Sequence, residues 1–455
     1  MGSSGRPWWR IAAGLVLVIV LWLALSRAPP PQPAPAANVV FTHQRHMGLV
    51  RNGVWQPFGQ AYDRAVPTPL PRTEANRVLA PEILTAAQQQ WQSFAQNMPT
   101  FTSVRSLFHE RGIVMSGGHY QLNYAYAAAR MLRQRGCTLP IELWLSSGRN
   151  ESLTPAQRQI FSRLGVDLFD TDAAAAVFPA IRARMHTTKR GDKPYVLKQI
   201  ALISSRCREC LLLDVDNIPM RDPTYLFEAL EYRDTGHLLW PDLWHMRGGQ
   251  AYIRTIFGLP STHEVDIRTV ESGVMVVDKA RAWRTLLLST FMQIQTHFYD
   301  NLMRALSHLG GGGDKQTFWI ACKALNASCA MIDTPVASAG RIVPDTTIFC
   351  GREMIQHDHI GQPLFVHSNM DKERFQKAVA ATPVWSESLR RAEVIRRPRE
   401  EASWSVAFTH QPDCGGGGWV VQITSNFELM SLREAAQTDF EQERYAFMRE
   451  YMVAS

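Results

Sequence analysis

From Arg111 onward the chain alternates short, unbroken apolar runs with longer amphipathic stretches. Gly112-Ile113-Val114-Met115-Ser116 reads as a buried strand, and an amphipathic helix follows from about Tyr120 to Arg135, with Gly136 as its stop. Leu139 to Leu145 is a second strand, Pro155 to Leu164 a helix and Val166 to Phe169 a third strand. Tyr195 to Ser205 reads as a helix. Glu209 to Leu213 is a strand that runs straight into Asp214-Val215-Asp216-Asn217. Unbroken apolar runs suit strands covered on both faces. Their regular alternation with helices predicts an α/β fold with a mostly parallel central sheet and right-handed crossovers.

The pattern continues with a strand over His237 to Trp240. A second strand, Val274 to Val277, is entered through Glu271-Ser272-Gly273. Trp283 to Tyr299 is helical. Four glycines, Gly310 to Gly313, precede Asp314-Lys315 at the mouth of a helix over Gln316 to Leu325. Leu364-Phe365-Val366 is a strand that ends on His367. Beyond about Thr382 the pattern becomes irregular, apart from a charged helix over Arg433 to Met452, and no internal repeat is present. Residues 106–382 are therefore expected to form one α/β domain, and 383–455 a C-terminal extension without an evident role.

The N-terminal third looks different. Ile11 to Leu25 is fifteen apolar or small residues, a stretch of about 22 Å as a helix. Trp8, Trp9 and Trp22 lie near its ends, where aromatic rings favour membrane interfaces. Arg6 and Arg10 precede it, and only Arg27 closely follows. This predicts a cytosolic tail over 1–10 and a transmembrane signal anchor over 11–26. A cleaved signal peptide is the alternative, because Ala24-Leu25-Ser26 loosely resembles a cleavage site. Pro29 to Ala37, within the 27–37 spacer, is an extended proline-rich segment. Residues 38–105 read as a stem, with a helix-prone stretch over Glu74 to Asn97. The short anchor favours a thin early-secretory membrane and a lumenal remainder.

Hydrophobic residues make up 45% of the chain, enough for a sizeable core, and the net charge is +7. The cations are scattered, with no basic run interleaved with aromatics, which argues against nucleic-acid binding. Seven cysteines leave at least one thiol unpaired within the chain. Cys207-Arg-Glu-Cys210 has no second pair of the same spacing, which favours a disulfide or buried thiols over a zinc site.

Asp214 and Asp216 carry the most chemistry. An apolar strand ending in two carboxylates places oxygen ligands at the carboxyl edge of a sheet, where open α/β folds bind ligands. Oxygen ligands suit a hard divalent cation, and such a cation suits a diphosphate. Gly117 and Gly118 close the first strand, where a nucleotide could lie against bare backbone. Asp314 could cap its helix or hydrogen-bond a ligand, and Lys315 could meet a phosphate or be solvated. Lys193 and Lys198 could also reach phosphate. Trp240 and Trp244 could stack on a ligand or sit in the core.

Several motifs occur in a fixed order. They are Gly112 to Trp144, Leu211 to Asn217 with Pro219 and Arg221 to Phe227, Leu239-Trp240-Pro241-Asp242-Leu243-Trp244, Glu271-Ser272-Gly273, Gly313-Asp314-Lys315 and Pro363 to His367. Together they resemble the mannan-building α-1,2- and α-1,3-mannosyltransferases of the Golgi, over roughly Arg111 to Asp371. The resemblance implies a GT-A-like fold on a single-pass, type II Golgi membrane protein. It also implies a GDP-mannose donor, a mannose-containing glycan acceptor, a divalent cation such as Mn²⁺ and retention of the α configuration. It further implies a metal set of Asp214, Asp216 and His367, with His357 as the rival histidine. Glu271, Asp242 and Asp314 are then candidates for contact with the acceptor or the transferred sugar. Gly117, Gly118, Asp214, Lys198 and Lys315 are candidates for holding the donor. A haloacid-dehalogenase-type phosphatase with Asp214 as nucleophile, and a glycan-binding protein without catalysis, are the rival readings.

Overall fold

A computed structural model describes residues 55–68, 79–108, 110–146, 153–181, 196–245, 250–259, 268–295, 313–370, 372–386, 389–398, 414, 419–422 and 427–455. Eight strands come first along the chain. They are β1 (Arg111–Gly117), β2 (Ile141–Leu145), β3 (Val166–Asp170), β4 (Glu209–Asp214), β5 (Asn217–Pro219), β6 (His237–His245), β7 (Arg268–Asp278) and β8 (Ala330–Met331). Seven of these form one sheet in the order β3-β2-β1-β4-β7-β6-β8. The pairings from β3 to β4 are parallel, β7 is antiparallel to both β4 and β6, and β8 is parallel to β6. The sheet is mixed and mostly parallel, as the alternating pattern predicts. The centres of β1, β2 and β4 are buried without a break, which is why their sequences lack polar alternation.

A second sheet follows. β9 (Ala337–Ile342), β10 (Ile348–His357), β11 (Pro363–His367), β12 (Val394–Pro398), β13 (Trp419–Gln422) and β14 (Phe427–Ser431) complete the strands. Their order is β14-β12-β9-β10-β11-β5, with β13 also paired to β10, and every pairing is antiparallel. β4 ends at Asp214 in the first sheet and β5 begins at Asn217 in the second. The Asp-Val-Asp segment is therefore the seam between the two sheets.

The described part of the expected stem supplies two helices to the core. Phe58 and Tyr62 of the helix Trp55–Ala65, and Trp91 and Phe94 of the helix Pro81–Asn97, are buried in the main hydrophobic cluster. Phe94 stacks on Phe291 at 4.7 Å, and Phe58 meets Trp283 at 5.5 Å. The segment beyond Thr382 is likewise built in. It contributes β12 to β14 and the helix Phe440–Ala454, which packs on the helix Leu122–Gln134. The single expected helix over Arg433 to Met452 is divided into Leu432–Ala436 and Phe440–Ala454. The break falls at Gln437, whose φ of 58° lies in the left-handed region.

The expected anchor over Ile11 to Leu25 and the proline-rich spacer lie outside the described residues. Among the described residues no helix is long and apolar enough to cross a membrane. The helix Pro81–Asn97 has 17 residues and carries five glutamines. The expectation of a single-pass Golgi membrane location is corrected accordingly.

The cysteines pair as Cys207–Cys210, Cys322–Cys329 and Cys350–Cys414, and Cys137 is a buried free thiol. This agrees with the odd count and with the disulfide reading of Cys207-Arg-Glu-Cys210.

Candidate active site

The site is built where β1 and β4 end side by side. Ser116 is the register partner of Asp214, and the strand order reverses between β1 and β4, the place where open α/β sheets bind ligands. Gly117 closes β1. A Cβ there would come within 2.5 Å of Val215 Cγ2, so glycine lets the Asp-Val-Asp turn fold over the end of β1. The expected role of Gly117 in backbone approach is thus taken up by Val215. At Gly118 an added Cβ would meet the Tyr120 ring at 2.7 Å.

Asp214 is reached by Lys198 from the helix Val196–Ser204. The ammonium lies 3.0 Å from Oδ1 of Asp214 and 3.2 Å from Asp314 Oδ2. It also donates to the Ser272 carbonyl and hydroxyl, both at 3.0 Å. Burial works against a charge on Lys198, but Asp214, Asp314 and Glu271 outweigh it and hold its pKa above the usual lysine value. Asp314 opens the helix Lys315–Ala324 without a side-chain capping bond. Burial raises its pKa, Lys198 opposes the rise and Asp214 adds to it.

Lys315 lies 3.0 Å from Asp242 Oδ2 and 2.8 Å from Glu271 Oε2. It joins two of the predicted carboxylates. Asp242 also accepts from Leu243 N at 2.7 Å and from the Thr269 hydroxyl at 3.2 Å. These two carboxylates respond differently. Burial raises Asp242, with Lys315 pulling the other way. For Glu271, burial is outweighed by Lys315, His367 and Lys198, which bring its pKa down to about 2. Glu271 is therefore a fixed anion at neutral pH.

His367 ends β11 and is the register partner of Asn217 on β5, which carries it to the seam. Its Nε2 is 3.7 Å from Asp216 Oδ1 and its Nδ1 is 3.9 Å from Glu271 Oε1. One ligand atom from each of Asp214, Glu271 and His367 lies within 4.8 Å of the other two. Gly273 makes this possible, because a Cβ there would stand 3.0 Å from His367 Cε1 and 3.1 Å from Glu271 Oε1. The Nδ1 of His367 is buried without a hydrogen-bond partner. Two carboxylate oxygens and an imidazole whose Nδ1 is buried and unpaired fit a divalent cation.

Of the three residues expected to hold a metal, the structure groups Asp214 and His367 with Glu271. Asp216 is buried beside His367, but its Oδ2 is held by the ammonium of Lys372, from the helix Lys372–Ala381. Glu271, expected to serve the acceptor, lies within 4.8 Å of Asp214 and His367 by its ligand atoms, in a group that could hold a metal ion. His357 lies opposite Pro363 on β10, outside that group, and its carbonyl accepts from Trp240 Nε1 at 2.6 Å. Trp240 is fully buried and edge-on to Phe365, so it is a core residue. Lys193 and the side chain of Trp244 lie outside the described residues. Sequence reasoning missed Lys372. The only hint was a lysine five residues beyond His367, at the start of a helix.

A family model described as mannosyltransferase matches residues 110–267 and 261–358. The chain belongs to this mannosyltransferase family. The match covers the first sheet and ends before His367. The chain is 24% identical to the α-1,2-mannosyltransferase MNN2 of Saccharomyces cerevisiae, over 62% of its own length and 51% of that protein. It is also 24% identical to MNN5 of that yeast, over 59% and 50%, and to MNN2 of Candida albicans, over 56% and 44%. The chain thus spans about half the length of these relatives. Among solved structures, mouse xyloside xylosyltransferase 1 aligns at 16% identity over 49% of this chain and 84% of that one, with a TM-score of 0.33. The galactosyltransferase LgtC, in complex with donor and acceptor sugar analogues, aligns at 13% over 48% and 72%, with a TM-score of 0.29.

Proposed function

We propose that this chain is a metal-dependent α-mannosyltransferase of GT-A-like fold. It moves a mannosyl residue from GDP-mannose to a mannose-containing glycan and retains the α configuration. The observation that carries the reading is the convergence of Asp214, Glu271 and His367 at the carboxyl end of β4. These residues would hold a divalent cation, Mn²⁺ in our reading, with Asp216 beside them. When bound, that cation supplies positive charge to the departing nucleoside diphosphate. The names of the relatives favour an α-1,2 linkage.

The chain's own residues divide the remaining work. Lys198 and Lys372 are ammonium groups already inside the site, Lys198 held by Asp214, which the cation would engage, and Lys372 by Asp216 beside it. Either is placed to meet a diphosphate oxygen beside the cation. Lys315 keeps Asp242 and Glu271 together and fixed in direction. Of the predicted acceptor-side carboxylates, Asp242 and Asp314 are the two whose pKa is raised by burial. They are therefore the better hydrogen-bond partners for sugar hydroxyls.

The test is a panel of nucleotide sugars incubated with the purified chain and Mn²⁺, with EDTA as control. GDP-mannose should be turned over fastest, and EDTA should stop it. A preference for a UDP-sugar overturns the donor. Undiminished turnover in EDTA overturns the cation.

A further inference from the structure

Below the site lies a second cluster of buried charge, built largely by the segment beyond Thr382. Glu353 on β10 and Arg444 on the helix Phe440–Ala454 are both fully buried. Arg444 donates to Glu353 Oε1 at 2.7 Å, and its other arm donates to Glu441 at 2.8 Å. Arg391 approaches the same Glu353 oxygen at 3.1 Å. Arg444 and Arg391 outweigh burial and bring the Glu353 pKa down to about 2.

This cluster touches the turn that follows His367. The Ser368 hydroxyl donates to Glu353 Oε1 at 2.5 Å and accepts from Arg444 Nη1 at 2.9 Å. The Ser368 N–H donates to the Asp216 carbonyl at 2.9 Å. Arg391 also donates to the Met370 carbonyl at 2.5 Å. Four bonds therefore fix the stretch from Ser368 to Met370, between His367 and Lys372, two residues that face Asp216.

We propose that Arg391 and Arg444 are positioning residues for the cation site: with Glu353 they clamp the turn from Ser368 to Met370, and so set how His367 and Lys372 meet the carboxylates. The segment beyond Thr382 is then part of the active site without touching substrate. This inference rests on the cation reading of Asp214, Glu271 and His367. Partner groups behind metal ligands typically change metal affinity by about 10- to 100-fold when removed. Arginine suits the task because its planar fork fixes direction as well as charge.

The test measures Mn²⁺ binding to the purified full chain by the loss of free-ion electron paramagnetic resonance signal. Ser368→Ala and Arg444→Lys should each weaken binding about tenfold or more, while thermal unfolding remains a single transition. Leu288→Ala, in the main core far along the sequence from this turn, should lower stability with Mn²⁺ affinity unchanged. His367→Ala should lose Mn²⁺ binding. If Arg444→Lys does not fold, Ser368→Ala decides alone. Wild-type affinity in Ser368→Ala, with binding lost in His367→Ala, overturns the inference and leaves the cation site standing. No Mn²⁺ binding by the wild-type chain overturns both.

Discussion

The protein buries charge in two neighbouring places, and it balances that charge differently in each. At the seam of the two sheets, among the described residues, Asp214, Asp216, Asp242, Glu271 and Asp314 face the ammonium groups of Lys198, Lys315 and Lys372, five carboxylates to three. Behind the seam, Glu353 and Glu441 face Arg391 and Arg444, two against two. An excess of buried anions is expensive unless something positive joins them. The unbalanced set is thus suited to take up a cation, and the balanced one to stay as it is. The choice of cation agrees. Lysine is a point charge on a long stem that can be redirected, whereas the arginine fork holds one geometry.

The strongest way to break this contrast is to empty the unbalanced set. Asp214→Ala with Asp216→Ala should reduce mannosyl transfer by on the order of 10⁴-fold, about 5.5 kcal/mol of barrier. The unfolding midpoint should change little or rise, because like charges are removed. Radiolabelled transfer beside a denaturant melt reads both, and near-normal transfer would sink the site.

The balanced set should behave in the opposite way. Arg444→Met leaves Glu353 buried without its main partner, and should destabilise the chain by about 3–5 kcal/mol in urea unfolding. Adding Glu353→Gln should recover part of that loss. An Arg444→Met variant as stable as the parent would show that the cluster is not balanced by this pair.

His237 sharpens the comparison by burying a titratable group with no charge at all. It is fully buried, its Nδ1 faces Cys322 and Cys329 at 3.5 and 3.4 Å, and burial lowers its pKa to about 4. In the unfolded chain it titrates at its ordinary 6.5, so the unfolded state binds the extra proton between those two values. The stability due to neutral His237 is complete above pH 6.5 and is lost as pH falls towards 4, by about 3 kcal/mol in total. His237→Phe should flatten that part of the stability-against-pH curve. An unchanged slope would mean another group supplies it.

The smallest expected effect concerns geometry alone. Gly273→Ala adds one methyl at 3.0 Å from His367 Cε1 and 3.1 Å from Glu271 Oε1. It should weaken Mn²⁺ binding about tenfold, roughly 1.4 kcal/mol, with donor specificity unchanged. Titration of activity against Mn²⁺ concentration checks it.

The two regions also differed in how far the chain disclosed them. β1, β2 and β4 are short runs whose centres are buried on both faces, so hydrophobicity alone marks them and places Asp214 at their edge. The second sheet lacks that mark. β9 reads Ala-Ser-Ala-Gly-Arg-Ile, and Ser338 and Gly340 are buried although neither is apolar. Its Gly340 admits the Cys350 carbonyl so closely that a Cβ would stand 2.0 Å from it. Arg444 and Glu353 are 91 residues apart in sequence, and no local pattern pairs a charge on a distant helix with one on a strand. Glu271 was visible as a carboxylate at a strand, but its approach to Asp214 and His367 depends on β7 and β11 meeting across the seam. The contact between Lys372 and Asp216 is a tertiary fact of the same kind.

The Cys350–Cys414 bridge joins β10 to the segment that precedes β13 and the C-terminal helix. A single backbone cut anywhere between these two cysteines would not separate the pieces. The fragment carrying Arg444 would remain covalently attached to the strand carrying Glu353. On an unreduced gel such a nicked chain would migrate as one species and would come apart only when a thiol is added. Transfer activity that survives nicking but vanishes on reduction would report, by electrophoresis, that the C-terminal fragment belongs to the working site.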